Sequence, residues 1–310
     1  VEEAQQNNDP AVPVSESEMV VLLVDKSRLH AKLVTWPGQL QSSRPLRTFK
    51  IAIGKEEGDK QIEGDNKTPE GIYFTQRHIP GETLPAKYGP LAIPIDFPNV
   101  MDKSAGKTGY GIWLHGVDRA GRIEEAKVTE GCVAFYNQDI TKLGSWLKPA
   151  QAAVVISNDL QQVNKPQDWQ AVKAVAETWQ QAWAERNIET YIDQYHPEFR
   201  SGARDREAYK EYKKRVFGSY KRMSVKFSNL RVLTHDKYAV AMMNQDFNGD
   251  DRFLSVGRKV LFLVTDKKGD WLIKREVFDN QEFVFPSFTD AEIALLSGSA
   301  EAGNSSASQN

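Results

Sequence analysis

One cysteine and one histidine set the chemistry this sequence can attempt: Cys132, the sole thiol, and His115, seventeen residues upstream. A thiol attacks carbonyl carbon as the thiolate, and at a free pKa near 8.5 only a few per cent is ionised at neutral pH. A nearby imidazole supplies the base, and each unit it removes from the thiol pKa corresponds to about 1.4 kcal/mol of preference for the ionised form. Each residue has a glycine neighbour. Gly131 lets the backbone N–H groups of Gly131 and Cys132 turn toward an oxyanion, where one donor contributes roughly 3–4 kcal/mol. Gly116 lets its own carbonyl reach a ring nitrogen of His115 and fix the tautomer. On spacing alone two readings stay open: a nucleophile with its base, or an inert buried thiol beside a hydrogen-bonded histidine, since free cysteine is among the most buried residue types. A single cysteine excludes an internal disulfide framework.

The surrounding pattern is β-rich. Met19–Asp25 and Leu29–Trp36 are apolar, β-branched runs around a turn at Lys26-Ser27, a hairpin signal. Thr48–Ile53, Ile72–Gln76, Ile112–Leu114 and Ala152–Ile156 read as further strands, and Gly58–Gly71 as a charged loop closed by Thr68-Pro69-Glu70-Gly71. Residues 80–111 carry Pro80, Pro85, Pro90, Pro94 and Pro98, which predicts irregular chain or short edge strands. Asn137-Gln138-Asp139 precedes a helix expected over Ile140–Leu147.

After a polar stretch the period changes. Val172, Val175, Ala176, Trp179 and Trp183 recur at helical spacing within Trp169–Arg186. Glu189–Tyr195 and Arg206–Val216 read as two more helices, followed by strands at Ser224–Thr234, Tyr238–Phe247, Leu254–Thr265 and Trp271–Phe278. Helices followed by an antiparallel sheet define an α+β domain. The expected organisation is an extended leader at 1–18, a catalytic domain at 19–157, a linker at 158–168, a second domain at 169–286 and a tail at 287–310 whose end reads as disordered.

Net charge is −2, so no broad basic field points to nucleic acid, and no apolar run approaches the roughly 18 residues that span a bilayer. The chain begins at Val1, and a cleaved export signal upstream is the expectation. His30, His78, His196 and His235 show no metal-ligand pairing, so no metal and no cofactor are expected.

The Trp113-Leu114-His115-Gly116 and Thr129-Glu130-Gly131-Cys132 segments resemble the catalytic motif of the L,D-transpeptidase (YkuD-like) family, His-Gly, a spacer, then Ser/Thr-His-Gly-Cys. Gly54, Gly64-Asp65-Asn66-Lys67-Thr68-Pro69-Glu70-Gly71-Ile72-Tyr73, Tyr88-Gly89 and Phe97-Pro98-Asn99 resemble its other motifs, so the likeness spans roughly residues 19–157. Two positions depart from it: Glu130 stands where the family has His, and Ala134 where it has an arginine that contacts the stem peptide. Trp179, Trp183, Tyr191, Tyr195, Gln245-Asp246-Phe247, Lys259-Val260-Leu261 and Trp271…Glu276 resemble an NTF2-like cone.

The resemblance implies a mostly-β YkuD-like domain followed by an α+β NTF2-like domain, as in the cell-shape L,D-carboxypeptidases. It further implies a peptidoglycan enzyme of the cell envelope or periplasm, which acts on stem peptides and uses Cys132 as nucleophile, His115 as base and the Gly116 carbonyl as its orienter. Backbone N–H groups of Gly131 and Cys132 would form the oxyanion hole. Trp113, Thr129 and Glu130 are expected against substrate. Arg119, Arg122 and Lys127 are candidates to replace the missing arginine, or a solvated loop. The second-domain pocket would take glycan or stem peptide. The alternatives are a transpeptidase that passes the acyl group to an amine, and a non-catalytic wall-binding protein.

Overall fold

The computed structural model describes residues 19–36, 44–149 and 151–282; the expected leader and tail lie outside the described residues. In the first domain the elements are β1 (Met19–Asp25), β2 (His30–Trp36), β3 (Arg44–Gly54), β4 (Gly71–Phe74), β5 (Ile79–Pro80), β6 (Leu91–Pro94), α1 (Val100–Ser104), β7 (Trp113–His115), α2 (Gly121–Glu124), β8 (Lys127–Thr129), β9 (Val133–Phe135), α3 (Asn137–Trp146) and β10 (Ala153–Ser157). They form one sheet in the order β4-β10-β1-β2-β3-β9-β7-β6-β5, with β8 on β3. The sheet is mixed, since β1 runs parallel to β10 and β7 parallel to β9.

β1 shows why such strands are apolar on both faces. Val20, Leu22 and Val24 enter the first domain's own core with Ile51, Leu114 and Val133. The alternate residues Met19 and Val21 join a different cluster, with Trp36, Ile72 and Val155 on one side and Trp169, Val172, Trp179 and Tyr238 of the second domain on the other. A strand buried on both faces reads as a continuous hydrophobic run.

The second domain comprises α4 (Pro166–Ala184), α5 (Ile188–Asp193), a short ribbon of β11 (Arg200–Ser201) and β12 (Arg204–Asp205), α6 (Arg206–Ser219), then β13 (Met223–Thr234), β14 (Ala239–Gly249), β15 (Phe253–Thr265) and β16 (Trp271–Asp279). The last four form an antiparallel sheet in sequence order. Register shifts at Ser228/Arg231 and Phe262/Leu263 mark bulges, which bend a sheet.

Four stretches differ from expectation. Residues 80–111, expected as irregular chain or short edge strands, also hold the helix α1, opened by a capping box between Asn99 and Asp102. The polar stretch 158–168 holds a 3-10 turn at Leu160–Gln162 and the first turn of α4, opened by Pro166 at a position where a missing N–H costs nothing. Asn137 opens α3 rather than preceding it, because its side chain accepts the Val117 N–H at 2.8 Å and not a helix donor. The stretch that carries Arg119, Arg122 and Lys127, for which a solvated loop is one reading, contains α2 and β8; both are too short to show a period.

Candidate active site

β7 and β9 lie side by side in parallel, with Leu114 opposite Val133 and His115 opposite Ala134. One step back along the pair, the Trp113 N–H points at Cys132 Sγ, 3.4 Å away, and Sγ in turn lies 3.4 Å from the Gly111 carbonyl. Side chains two apart on a strand share a face, so Trp113 and His115 project together from β7; His115 lines the cavity that holds the thiol, whereas Trp113, expected against substrate, does not. Cys132 and His115 line one cavity of about 180 Å³, with Lys55, Lys87, Tyr88, Arg122, Val128, Thr129 and Glu130.

His115 is held from two sides. Its Nδ1 is 2.5 Å from the Gly116 carbonyl. A carbonyl only accepts, so Nδ1 carries the proton and Nε2 keeps its lone pair. The Tyr88 ring meets the imidazole edge-on at 5.0 Å and packs against Trp113 at 4.9 Å. Gly116 is obligatory here: a Cβ on it would lie 2.5 Å from Asn137 Oδ1 and 2.8 Å from the Pro90 ring. Gly131 has φ +123°, a conformation L side chains rarely adopt, and a Cβ on it would sit 2.7 Å from the Lys67 carbonyl.

Burial decides the resting protonation. It pushes His115 down to about 4, with the Gly116 hydrogen bond opposing and Arg122 and Lys87 adding to the fall. It pushes the Cys132 thiol up to about 11; the Trp113 N–H counteracts this and the Glu130 carboxylate adds to it. The free site at neutral pH is therefore a thiol beside a neutral imidazole, not an ion pair. Such a pair works by proton transfer as the nucleophile attacks.

The other expected residues divide. Thr129 accepts the Gly131 N–H at 3.2 Å and donates to the Cys132 carbonyl at 2.7 Å, bracing the turn. The Gly131 N–H is thus already engaged, unlike the open donor expected from the sequence. Arg122 lines the cavity and is held by the Lys87 and Val128 carbonyls at 3.4 Å each. Arg119 and Lys127 do not line it: they pair with Glu125 and Glu57. Ala134 is fully buried against Ala52, Val117 and Ile123, so α2 covers the position where the family carries arginine. Lys55 and Lys87 went unnoticed in the sequence. Lys55 reaches the site because its N–H donates to the Thr129 carbonyl, a pairing no local pattern announces.

Residues 20–156 match the family profile described as the L,D-transpeptidase catalytic domain, YkuD, and residues 171–277 match the Cds6 C-terminal NTF2-like domain. The chain thus joins a YkuD-family catalytic domain to an NTF2-like domain. Solved structures share both parts. Bd1075 of Bdellovibrio bacteriovorus superposes with a TM-score of 0.72 at 26% identity, covering 86% of this chain and 94% of that one. The helical cell shape determining protein Pgp2 from Campylobacter jejuni does so at 0.67 and 26%, covering 84% and 92%. YafK of Escherichia coli K12, provisionally named an L,D-transpeptidase, is 36% identical over 86 residues. That stretch is 28% of this chain and 30% of YafK, so the match spans under a third of that relative.

Proposed function

We propose that this protein is a cysteine L,D-carboxypeptidase of the bacterial envelope that trims the terminal D-alanine from peptidoglycan tetrapeptide stems and so affects cell shape. The observation that carries the reading is the Cys132–His115 cavity, walled by three cations, Lys55, Lys87 and Arg122, against one carboxylate, Glu130. A positive wall favours a peptide that ends in a carboxylate. It opposes the approach of an ammonium-bearing second stem, as a transpeptidase requires, and is indifferent to water.

In the proposed cycle His115 Nε2 takes the thiol proton as Sγ attacks the carbonyl of the L-centred diamino acid before D-alanine. The Cys132 N–H holds the oxyanion, joined by the Gly131 N–H once it leaves Thr129. The C–N bond breaks and the departing amine takes the proton from His115. Water, deprotonated by the same ring, opens the thioester and restores the thiol, leaving a tripeptide stem. No cofactor enters these steps.

The second domain is proposed to hold glycan or stem peptide. Between its helices and sheet, Lys213, Lys259 and Glu276 lie among Trp179, Trp183, Tyr191, Tyr195 and Tyr209. The Trp183 Nε1 and Gln245 Oε1 there are buried without a hydrogen-bond partner among the described residues.

Incubation with purified tetrapeptide muropeptides tests the enzyme reading. Tripeptide and free D-alanine are expected, with at least a thousandfold loss in Cys132→Ala at an unchanged melting temperature. Cross-linked dimers would establish the transpeptidase instead, and an unaltered muropeptide profile a wall-binding protein.

A further inference from the structure

A cluster of ionised side chains lies on the side of the first domain that meets the second. Lys26 Nζ bonds Glu70 at 2.9 Å, Lys107 Nζ bonds Asp59 at 2.8 Å and Asp102 at 2.9 Å, and Lys237 Nζ bonds Asp59 at 2.7 Å and Glu70 at 3.0 Å. Three cations meet three carboxylates. Five of the six belong to the first domain; the sixth, Lys237, sits on the β13–β14 turn of the second. Its neighbour Tyr238 follows it in: the Tyr238 hydroxyl accepts from the Ile72 N–H at 2.8 Å and from Asn99 Nδ2 at 2.9 Å.

The cluster anchors both loops that flank Cys132. Lys26 Nζ donates to the carbonyls of Gly58 and Thr68, the two ends of one loop. That loop places the Lys67 carbonyl against Gly131, and the Thr68 hydroxyl accepts the Gly54 N–H at 2.9 Å. Lys107 opens the other loop, which is stitched to the first by Thr108 N–H to the Gln61 carbonyl at 2.9 Å and ends at Gly111, whose carbonyl faces Sγ. Without Lys237 the cluster holds two cations against three carboxylates. Asp59 keeps Lys107 and Glu70 keeps Lys26, but one negative charge in this largely buried cluster is left uncompensated, and the loops are the parts free to shift in response.

We propose that Lys237 of the second domain is a positioning residue for Cys132, acting through Asp59 and Glu70 on the two loops that frame the thiol. The second domain then completes the catalytic centre mechanically, in addition to any ligand it holds. The inference rests on Cys132 being the nucleophile. A displacement of about 1 Å at a reacting group can cost on the order of a hundredfold in rate.

The test compares Lys237→Met and Lys237→Arg in the full chain. Two readouts are used: kcat and KM on a disaccharide tetrapeptide, and the rate of Cys132 alkylation by iodoacetamide as a function of pH. Lys237→Met should lower kcat about tenfold or more with KM within twofold, and shift the alkylation profile. Lys237→Arg, which keeps the charge, should restore both. A folded Lys237→Met protein with wild-type kcat and alkylation overturns the proposal. So does a variant that fails to fold, because the cation would then be supporting the domain and not the loops. If the wild-type protein leaves the tetrapeptide uncut, the carboxypeptidase reading fails alone, because alkylation needs no substrate and still reports on the position of the thiol.

Discussion

Two regions of this molecule bury titratable side chains to a similar degree and treat them in opposite ways. At the cavity in the first domain, His115 and Cys132 have no countercharge in contact, so burial drives both to their neutral forms, near 4 and 11. Inside the second domain, burial also opposes ionisation of Glu276. There Lys259 and Lys213, with hydrogen bonds from Tyr209 and Tyr195, outweigh it and hold the carboxyl below its usual range. Under the proposed function, the first region holds a proton transfer in reserve. The second keeps a standing charge on Glu276, whose carboxylate already has partners in Lys259, Tyr195 and Tyr209. Burial alone therefore does not identify a reactive site; the lack of a compensating partner beside an open cavity does.

The largest effect that would break this contrast is on the thiol. With its pKa near 11, the thiolate fraction of Cys132 at pH 7 is about one in ten thousand. Iodoacetamide alkylation of the free protein should therefore accelerate by about a thousandfold or more between pH 7 and pH 11, with a midpoint near 11. His115 protonates only near 4, so kcat/KM should hold down to that pH and fall below it. An alkylation midpoint between 5 and 8 would mean a resting thiolate–imidazolium pair, and the two regions would then be alike.

A smaller effect separates the arginines. Arg122 lines the cavity at 17% side-chain exposure and pairs with Asp118 at 3.5 Å, whereas Arg119 is 62% exposed, lies off the cavity and pairs with Glu125. Arg122→Gln should raise KM for a tetrapeptide about tenfold, and Arg119→Gln should leave it within twofold. Equal effects would show that the whole loop, and not the cavity wall, grips substrate.

The fold class was legible because its elements are long or strongly patterned. β1, β13, β14 and β15 announce themselves by apolar runs and turn residues, and α4 by its three-four spacing. What stayed hidden was short and held by partners distant in sequence. β9 has three residues, and nothing in Val133-Ala134-Phe135 states that it lies parallel to β7, yet that pairing brings the thiol to the imidazole. Asn137, expected to precede α3, opens it instead, while its side chain secures Val117, one residue beyond the His-Gly pair. Lys55 and Lys87 approach the cavity from chain segments far from the motif. The contact between the domains was also hidden, because half of β1 serves one core and half the other, and a continuous apolar run looks the same whichever neighbour each residue meets.

The smallest predicted effect concerns stability, and it sharpens the contrast from the other side. Burial pushes Lys213 down to about 7, against Glu276, which favours the charge, and with Lys259 opposing it. The ammonium lies 3.9 Å from the Trp183 ring centre. A folded pKa depressed below the unfolded value means that stability is present above about 10.5 and is lost as pH falls toward 7. At about 1.4 kcal/mol per unit this costs a few kcal/mol at neutral pH. The cation–π contact returns only about 0.5–2 kcal/mol of it. Lys213→Met keeps most of the side chain's volume and removes the charge, so its melting temperature at pH 7 should exceed wild type by about 2–5 °C, with the gap narrowing by pH 10. If the second domain holds wall material through this network, the same variant should bind purified peptidoglycan sacculi more weakly while melting higher. A variant that is more stable and binds equally well would reduce Lys213 to a costly core residue, and the ligand role of the second domain would go with it.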